Sequence, residues 1–139
     1  MQSIRLFTIF MFALAVGILS RAQSFAAYPG ARPDEKASRA SSAVTPGVEC
    51  RVFTTYDSFD KVYAFYRGKY KEFTAPFPHQ KLPDGREVKW SFFILDGAAD
   101  LAHSRSWMKI QRPAIDSVND DGDFINVRDI SVIETVRKP

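Results

Sequence analysis

The chain holds little of the material from which most catalytic and metal sites are built. Its 139 residues include one cysteine, two histidines and seven glycines. A single thiol cannot form an internal disulfide, and one cysteine with two distant histidines does not make a tetrahedral zinc set. The glycines form neither a phosphate-binding loop nor a dinucleotide fingerprint. The sequence therefore predicts no cofactor and no metal, and a fold held together by its apolar core.

Long apolar runs are also absent, apart from LFTIFMFALAVGIL near the N-terminus, which follows Arg5. This run has 14 residues, whereas a membrane-spanning helix needs roughly 20. Small residues follow in SRAQSFAA, where the pairs Ala22/Ser24 or Ser24/Ala26 suit a signal peptidase. We predict a signal peptide over residues 1–26 and a periplasmic or secreted protein without a membrane span. An uncleaved amphiphilic anchor is the alternative.

The net positive charge belongs largely to this leader. The chain has 19 basic and 16 acidic residues, a formal charge of +3. Without Arg5 and Arg21 the basic residues fall to 17, which leaves +1. Nucleic-acid binding needs a dense basic face. We therefore predict no nucleic-acid partner.

Two further segments follow the leader. Residues 27–47 are rich in Ala, Ser and Pro and lack apolar periodicity, so they predict a flexible arm. Residues 48–139 predict a single domain. Within it, Asp57 to Tyr70 (DSFDKVYAFYRGKY) predicts a helix with Asp57 as N-cap, and one apolar stripe is formed by Phe59, Val62, Tyr63, Tyr66 and Tyr70. This is the one main helix of the prediction.

The other regular segments are predicted strands. Val48 to Thr55, Arg86 to Leu95 and Ser106 to Arg112 alternate in polarity, and Phe124 to Val136 predicts a final strand or strand pair with a β-bulge at Arg128–Asp129. A strand, a helix and a meander favour an α+β fold, with the helix packed on a curled antiparallel sheet of four to five strands. By analogy this resembles the cystatin-like or nuclear-transport-factor-like plan, which carries no function with it.

Three groups of polar residues are candidates for chemical sites. Asp100, His103 and Ser104 or Ser106 are close in sequence, but a catalytic triad is defined by geometry. The segment from Ser117 to Arg128 resembles half of a calcium loop, yet Arg128 stands where a bidentate Glu belongs. Asp129 beside Arg128 is either an acid–base group or half of an ion pair. We predict no catalytic residues from these patterns.

A ligand pocket between helix and sheet is the more specific prediction. In this architecture the apolar lining of such a pocket comes from the helix stripe and the long strand. The predicted ligand-binding residues are Tyr63, Tyr66, Trp90, Phe92 and Asp129. The tyrosine hydroxyls need polar partners when buried, so a wet cavity beneath the helix and bonded hydroxyls at its rim are the two alternatives.

The chain also resembles a group of small exported bacterial proteins of unknown function. The resemblance lies in YPGA, DSFDKVYAFYRGKY, SWMKIQRP and VRDISVIETV. It implies a bacterial periplasmic or secreted protein with the compact strand–helix–meander fold, and it carries no activity or catalytic residue.

The sequence leaves three functions open. The first is an exported binding domain of the cell envelope without catalytic activity, for an unknown protein, peptide or small ligand. The second is a small hydrolase or lyase that uses Asp129 or His103 in a cavity. The third is a structural role through pairing of edge strands, with an oligomeric state that the sequence leaves undefined.

Overall fold

The computed structural model describes residues 24–74 and 80–139, in which an antiparallel sheet carries two helices. The predicted leader, apart from Ser24 to Ala26, and His79 lie outside these residues. The strands are β1 (Arg32–Pro33), β2 (Glu49–Thr55), β3 (Lys71–Phe73), β4 (Gln80–Lys81), β5 (Glu87–Ile94), β6 (Ser106–Arg112), β7 (Ser117–Val118), β8 (Phe124–Ile125) and β9 (Ser131–Arg137). The helices are α1 (Glu35–Val44) and α2 (Phe59–Arg67).

The main sheet has seven strands in the order β1-β2-β9-β6-β5-β3, and β4 also pairs with β5. All of its strand pairs are antiparallel. The last strand, β9, therefore lies in the middle of the sheet, between β2 and β6. The α+β class and the antiparallel sheet are confirmed. The sheet exceeds the predicted four to five strands because short strands extend it at both edges.

Helix α2 forms where the apolar stripe predicts it, but its N-cap differs from the prediction. Ser58 rather than Asp57 caps it, with the Ser58 hydroxyl accepting a hydrogen bond from Lys61 N. The Asp57 carboxylate instead accepts the hydroxyl of Tyr28 at 2.7 Å and the ammonium of Lys61 at 3.3 Å. A residue before the helix thus ties the N-terminal segment to it.

The ring contacts of Phe93 show which sheet face α2 covers. Phe93 of β5 contacts the rings of Tyr63 and Tyr66, with centroid distances of 6.0 and 6.3 Å. Successive side chains of a strand point to opposite faces, so Trp90 and Phe92 belong to the face away from α2. Met108, Ile110 and Ile133 of the central strands complete the core beneath the helix, and all are fully buried.

Helix α1 occupies the stretch for which the sequence predicts a flexible arm, so the structure has two helices rather than one main helix. None of its residues is buried, and its contact with the sheet is polar. The Ser38 hydroxyl accepts a hydrogen bond from Val52 N at 2.8 Å, and the Ser42 hydroxyl accepts one from Cys50 N at 2.9 Å. Serines one turn apart thereby satisfy the outer edge of β2, which would otherwise be open to pairing.

This edge gives a prediction about self-association. Replacing Ser38 and Ser42 together by alanine leaves the backbone N–H groups of Cys50 and Val52 without those partners, so the free energy of unfolding should fall by about 2 kcal/mol. The freed edge should also make the chain associate as its concentration rises. Urea unfolding and solution mass across a concentration series measure the two effects.

The matched control for that experiment is Ser41→Ala. In the described residues the Ser41 hydroxyl makes no hydrogen bond to β2, so this variant should unfold and sediment like the unaltered chain. A double variant that stays monomeric with unchanged stability would contradict the role assigned to the two serines.

The C-terminal part differs from the predicted bulged strand. β8 pairs with β7 in a separate two-stranded ribbon, whereas β9 belongs to the main sheet. The phase change across Arg128–Asp129 therefore marks the passage between two sheets and not a β-bulge. Neither helix of the described residues has the length and apolar character that crossing a bilayer requires.

Candidate functional site

The interface between α2 and the sheet is packed at its centre, where the sequence predicts a pocket. Tyr66 has no exposed surface. Its ring stacks on Phe25 with a centroid distance of 6.1 Å and meets Phe65 edge-on at 4.9 Å. Its hydroxyl donates to the carbonyl oxygen of Ala26 at 2.9 Å. Of the two alternatives for the tyrosine hydroxyls, the structure shows a bonded hydroxyl at Tyr66, and this residue belongs to the core.

A pocket of about 400 Å³ lies instead at the outer edge of β5, beside α2. β3 pairs with β5 at Phe92 to Ile94 and β4 pairs with it at Glu87 and Val88, so the pocket opens between the two short strands. We call it the edge pocket; its lining residues are Phe59, Asp60, Tyr63, Glu72, Phe73, Thr74, Glu87, Lys89, Trp90, Ser91 and Phe92. Three predicted site residues, Tyr63, Trp90 and Phe92, are among these lining residues, with Trp90 and Phe92 on the face of β5 opposite to the one that contacts Tyr63.

Glu72 is the polar centre of the edge pocket. One of its carboxylate oxygens accepts the Tyr63 hydroxyl at 2.6 Å, and the other accepts the Ser91 hydroxyl at 3.0 Å. This hydrogen bond to the carboxylate, together with burial, raises the pKa of Tyr63, so the tyrosine stays a neutral donor. Within the described residues both hydrogen bonds to Glu72 thus come from neutral groups, which fix its position without cancelling its charge.

A cation already lies at the rim of this pocket. The ammonium of Lys89 lies 3.4 Å from the Asp60 carboxylate and 5.9 Å from the centre of the Phe59 ring. The Phe59 ring stacks in turn on Tyr63, with centroids 5.9 Å apart. An ammonium held by a carboxylate and an aromatic face is a cation–π arrangement. The same surroundings suit the cationic group of a ligand.

Asp129 lies apart from the edge pocket. Its carboxylate pairs with the Arg112 guanidinium at 3.2 Å, and its side chain is 71% exposed. Arg112 also donates to the carbonyl oxygen of Asp57 at 3.0 Å. Of the two alternatives for Asp129, the structure shows the ion pair.

The Asp–His–Ser arrangement is not assembled as a triad. His103 is 76% exposed and its Nδ1 lies 2.7 Å from Asp100. The Ser104 hydroxyl donates to the Asp96 carboxylate at 2.9 Å, and its oxygen also lies 2.9 Å from the Ser106 carbonyl oxygen. Because this hydroxyl is engaged by the loop, Ser104 serves the connection between β5 and β6.

The acidic loop between β7 and β8 forms a hairpin turn. Asn119 and Asp123 bond to each other across it, with Asp123 N donating to the Asn119 side-chain oxygen at 2.7 Å. Over the described ranges, no three His, Cys, Asp or Glu side chains are grouped so as to hold a metal ion.

A second pocket, of about 720 Å³, lies along the outer edge of β2 beneath α1. It is larger than the edge pocket, but its charged lining residues are of both signs, Glu35, Arg39, Glu49 and Arg51. Arg51 and Glu49 already pair with each other at 3.4 Å. Charge therefore gives this pocket no preference for one class of ligand.

Several edge-pocket residues were missed by the sequence interpretation. The sequence predicts a site at Tyr63, Tyr66, Trp90, Phe92 and Asp129, and this set does not include Phe59, Glu72 or Lys89 of the edge pocket. The available signal was the alternation of β5, which places Lys89, Ser91 and Phe93 on one face. Had Phe93 been chosen as the helix-facing residue, Lys89 and Ser91 would have followed.

Relatives give no further guidance. No family model, curated protein or solved structure matches this chain. The geometry of the edge pocket is therefore the main indication of function.

Proposed function

We propose that this chain is a small exported binding domain, and that its edge pocket takes an ammonium or guanidinium group of a peptide or small ligand. The observation that carries the proposal is the Glu72 carboxylate, oriented by Tyr63 and Ser91 beside aromatic rings. Three carboxylates and one ammonium line the pocket, at Asp60, Glu72, Glu87 and Lys89. This excess of negative charge favours a cation, and aromatic faces add to its binding.

The wider setting of the proposal comes from the sequence. The N-terminal leader supports export, and the resemblance to small exported bacterial proteins supports a periplasmic or secreted location. A helix against one face of an antiparallel sheet supports the analogy with cystatin-like or nuclear-transport-factor-like domains, and that analogy adds no activity. The hydrolase or lyase alternative lacks support, because the side chains of Asp129 and His103 are largely exposed and lie outside the edge pocket.

The proposal is tested with N-acetylarginine amide and its neutral isostere, N-acetylcitrulline amide. In an amide NMR titration, the arginine probe should shift signals at Tyr63, Glu72 and Ser91 and saturate at about millimolar concentration, the range expected for one weakly held group. The citrulline probe should produce no saturable shift. Equal binding of both probes would show that the pocket does not select a cation.

Two carboxylate variants separate the pocket from general surface charge. Glu72→Gln should weaken binding of the arginine probe about tenfold, which corresponds to about 1.4 kcal/mol. Asp129→Asn removes the same charge at a residue that does not line the edge pocket, and it should leave the affinity unchanged. Equal weakening by both variants would assign the binding to net charge and contradict the site.

A further inference from the structure

The segment Ser24–Tyr28, which we call the strap, is bound by tyrosines of α2 and of the turn that follows it. The Tyr70 hydroxyl donates to the Ser24 carbonyl oxygen at 3.0 Å and accepts a hydrogen bond from Ala26 N at 2.7 Å. The Tyr66 hydroxyl donates a hydrogen bond to the Ala26 carbonyl oxygen. Two phenol groups thus satisfy both backbone groups of Ala26, as a neighbouring strand would.

The strap also contributes apolar side chains to the core. The Phe25 ring stacks on Phe53 and Tyr66, with centroid distances of 5.6 and 6.1 Å. Tyr28 is buried, meets Phe65 edge-on at 5.2 Å and donates its hydroxyl to Asp57. Burial, with this hydrogen bond, raises the pKa of Tyr28 to about 12. The strap is therefore a part of the folded domain.

This packing bears on where the leader is removed. A cut after the Ser24/Ala26 pair would take Phe25 and Ala26 out of the core. The Tyr66 hydroxyl, which belongs to a side chain without exposed surface, would then lose its acceptor, and an unpaired buried polar group is unfavourable. A cut after the Ala22/Ser24 pair would remove Ser24, whose carbonyl oxygen accepts the hydrogen bond from the Tyr70 hydroxyl.

We propose that the leader is cut on the N-terminal side of Ser24, at the Ala22–Gln23 bond, so that the whole strap stays in the processed domain. Ser20 and Ala22 supply the small residues that a signal peptidase requires before that bond. Water hydrolyses the amide, which leaves a carboxylate on Ala22 and an amine on Gln23. The inference rests on the leader being an export signal and does not depend on the edge pocket.

The processing site is read from the N-terminal peptide of the exported chain. The full sequence is expressed in a bacterium, recovered from the periplasm and analysed by tandem mass spectrometry. A chain that begins at Gln23 is the expected result. A chain that begins at Phe25 or Ala27, or one that retains the leader, would overturn the proposal.

A stability measurement tests the strap independently in the same exported chain. Phe25→Ala removes the ring that stacks on Phe53 and Tyr66, so the melting temperature should fall by about 8 °C. Ser24→Ala is the matched control, because the Ser24 side chain is exposed and its carbonyl oxygen remains. A Phe25→Ala chain that melts with the control would show that the strap is dispensable, and the proposal would fail.

Discussion

Replacing Tyr66 by alanine is expected to lower the free energy of unfolding by about 4 kcal/mol, the usual loss when a large aromatic ring leaves a close-packed core. Tyr66 lies where the strap, α2 and the sheet meet, because its ring contacts Phe25, Tyr28 and Phe93. Tyr66 has no exposed surface, so the cavity that its removal leaves would be enclosed by the core. A loss of this size is a large fraction of the roughly 5–15 kcal/mol that stabilises a domain.

Urea unfolding, followed by the fluorescence of Trp90 and Trp107, measures this change. Tyr66→Phe separates the hydroxyl from the ring: it leaves the Ala26 carbonyl oxygen without its donor and should cost about 1 kcal/mol. Tyr56→Ala is the matched control, because Tyr56 is 86% exposed and its loss should leave stability unchanged. A Tyr66→Ala chain within 1 kcal/mol of that control would contradict the packed interface.

The second large effect is expected at Asp96, which organises the connection between β5 and β6. Its carboxylate accepts hydrogen bonds from the Ser104 hydroxyl at 2.9 Å and from the backbone N–H groups of Ala98, Arg105 and Ser106 at 3.2, 2.6 and 3.2 Å. Asp96→Ala leaves these donors unpaired, so the free energy of unfolding should fall by about 3 kcal/mol.

The same residue predicts a pH dependence. Burial raises the pKa of Asp96, but the hydrogen bonds from Arg105, Ser104, Ala98 and Ser106 together outweigh it, and the pKa lies below its usual value. A carboxyl group whose pKa is lower in the folded state stabilises that state above its unfolded pKa, about 3.9. This contribution should disappear as the pH falls from about 4 through the folded pKa.

Measuring the free energy of unfolding against pH for the unaltered chain and for Asp96→Ala isolates the contribution of the Asp96 carboxylate. Hydrogen bonds also lower the pKa values of Asp57, Asp84, Asp100 and Asp116, so both chains should lose stability in acid. The difference between them should narrow as the pH falls below 4. Asp121→Ala is the control, since Asp121 is exposed and its carboxylate makes no hydrogen bond within the described residues. A difference that stays constant to pH 2 would show that the ionised form of Asp96 contributes nothing.

Apolar periodicity predicted the elements that bury apolar side chains. The helix at Asp57 to Tyr70 and the strand at Ser106 to Arg112 were predictable because the spacing of their apolar residues matches the face that each element buries. It did not predict α1, which meets β2 through the hydroxyls of Ser38 and Ser42. The signals present for α1 were the N-cap Asp34 and the stop at Thr45–Pro46–Gly47. Neither signal shows that this segment would pack against β2.

The site was only partly predictable for a different reason. Alternation showed that Trp90 and Phe92 share one face of β5 and that Phe93 lies on the other, but it did not show which face α2 covers. Once α2 packs on Phe93, Tyr66 becomes a core residue, and Tyr63 turns toward Glu72 at the sheet edge. Glu72 and Ser91 approach each other only through the pairing of β3 with β5, which depends on contacts distant in sequence.

The central position of β9 has a consequence for the kinetics of folding. Glu49 at the start of β2 pairs with Arg137 at the end of β9, and Ser106 of β6 pairs with the same Arg137. Pairings between the two ends of a chain close a long loop before they gain contacts, and they make folding slow. The sheet cannot close until the last residues have left the ribosome. Until β9 is present, β2 and β6 lack the strand that lies between them in the finished sheet, so their facing edges stay unpaired.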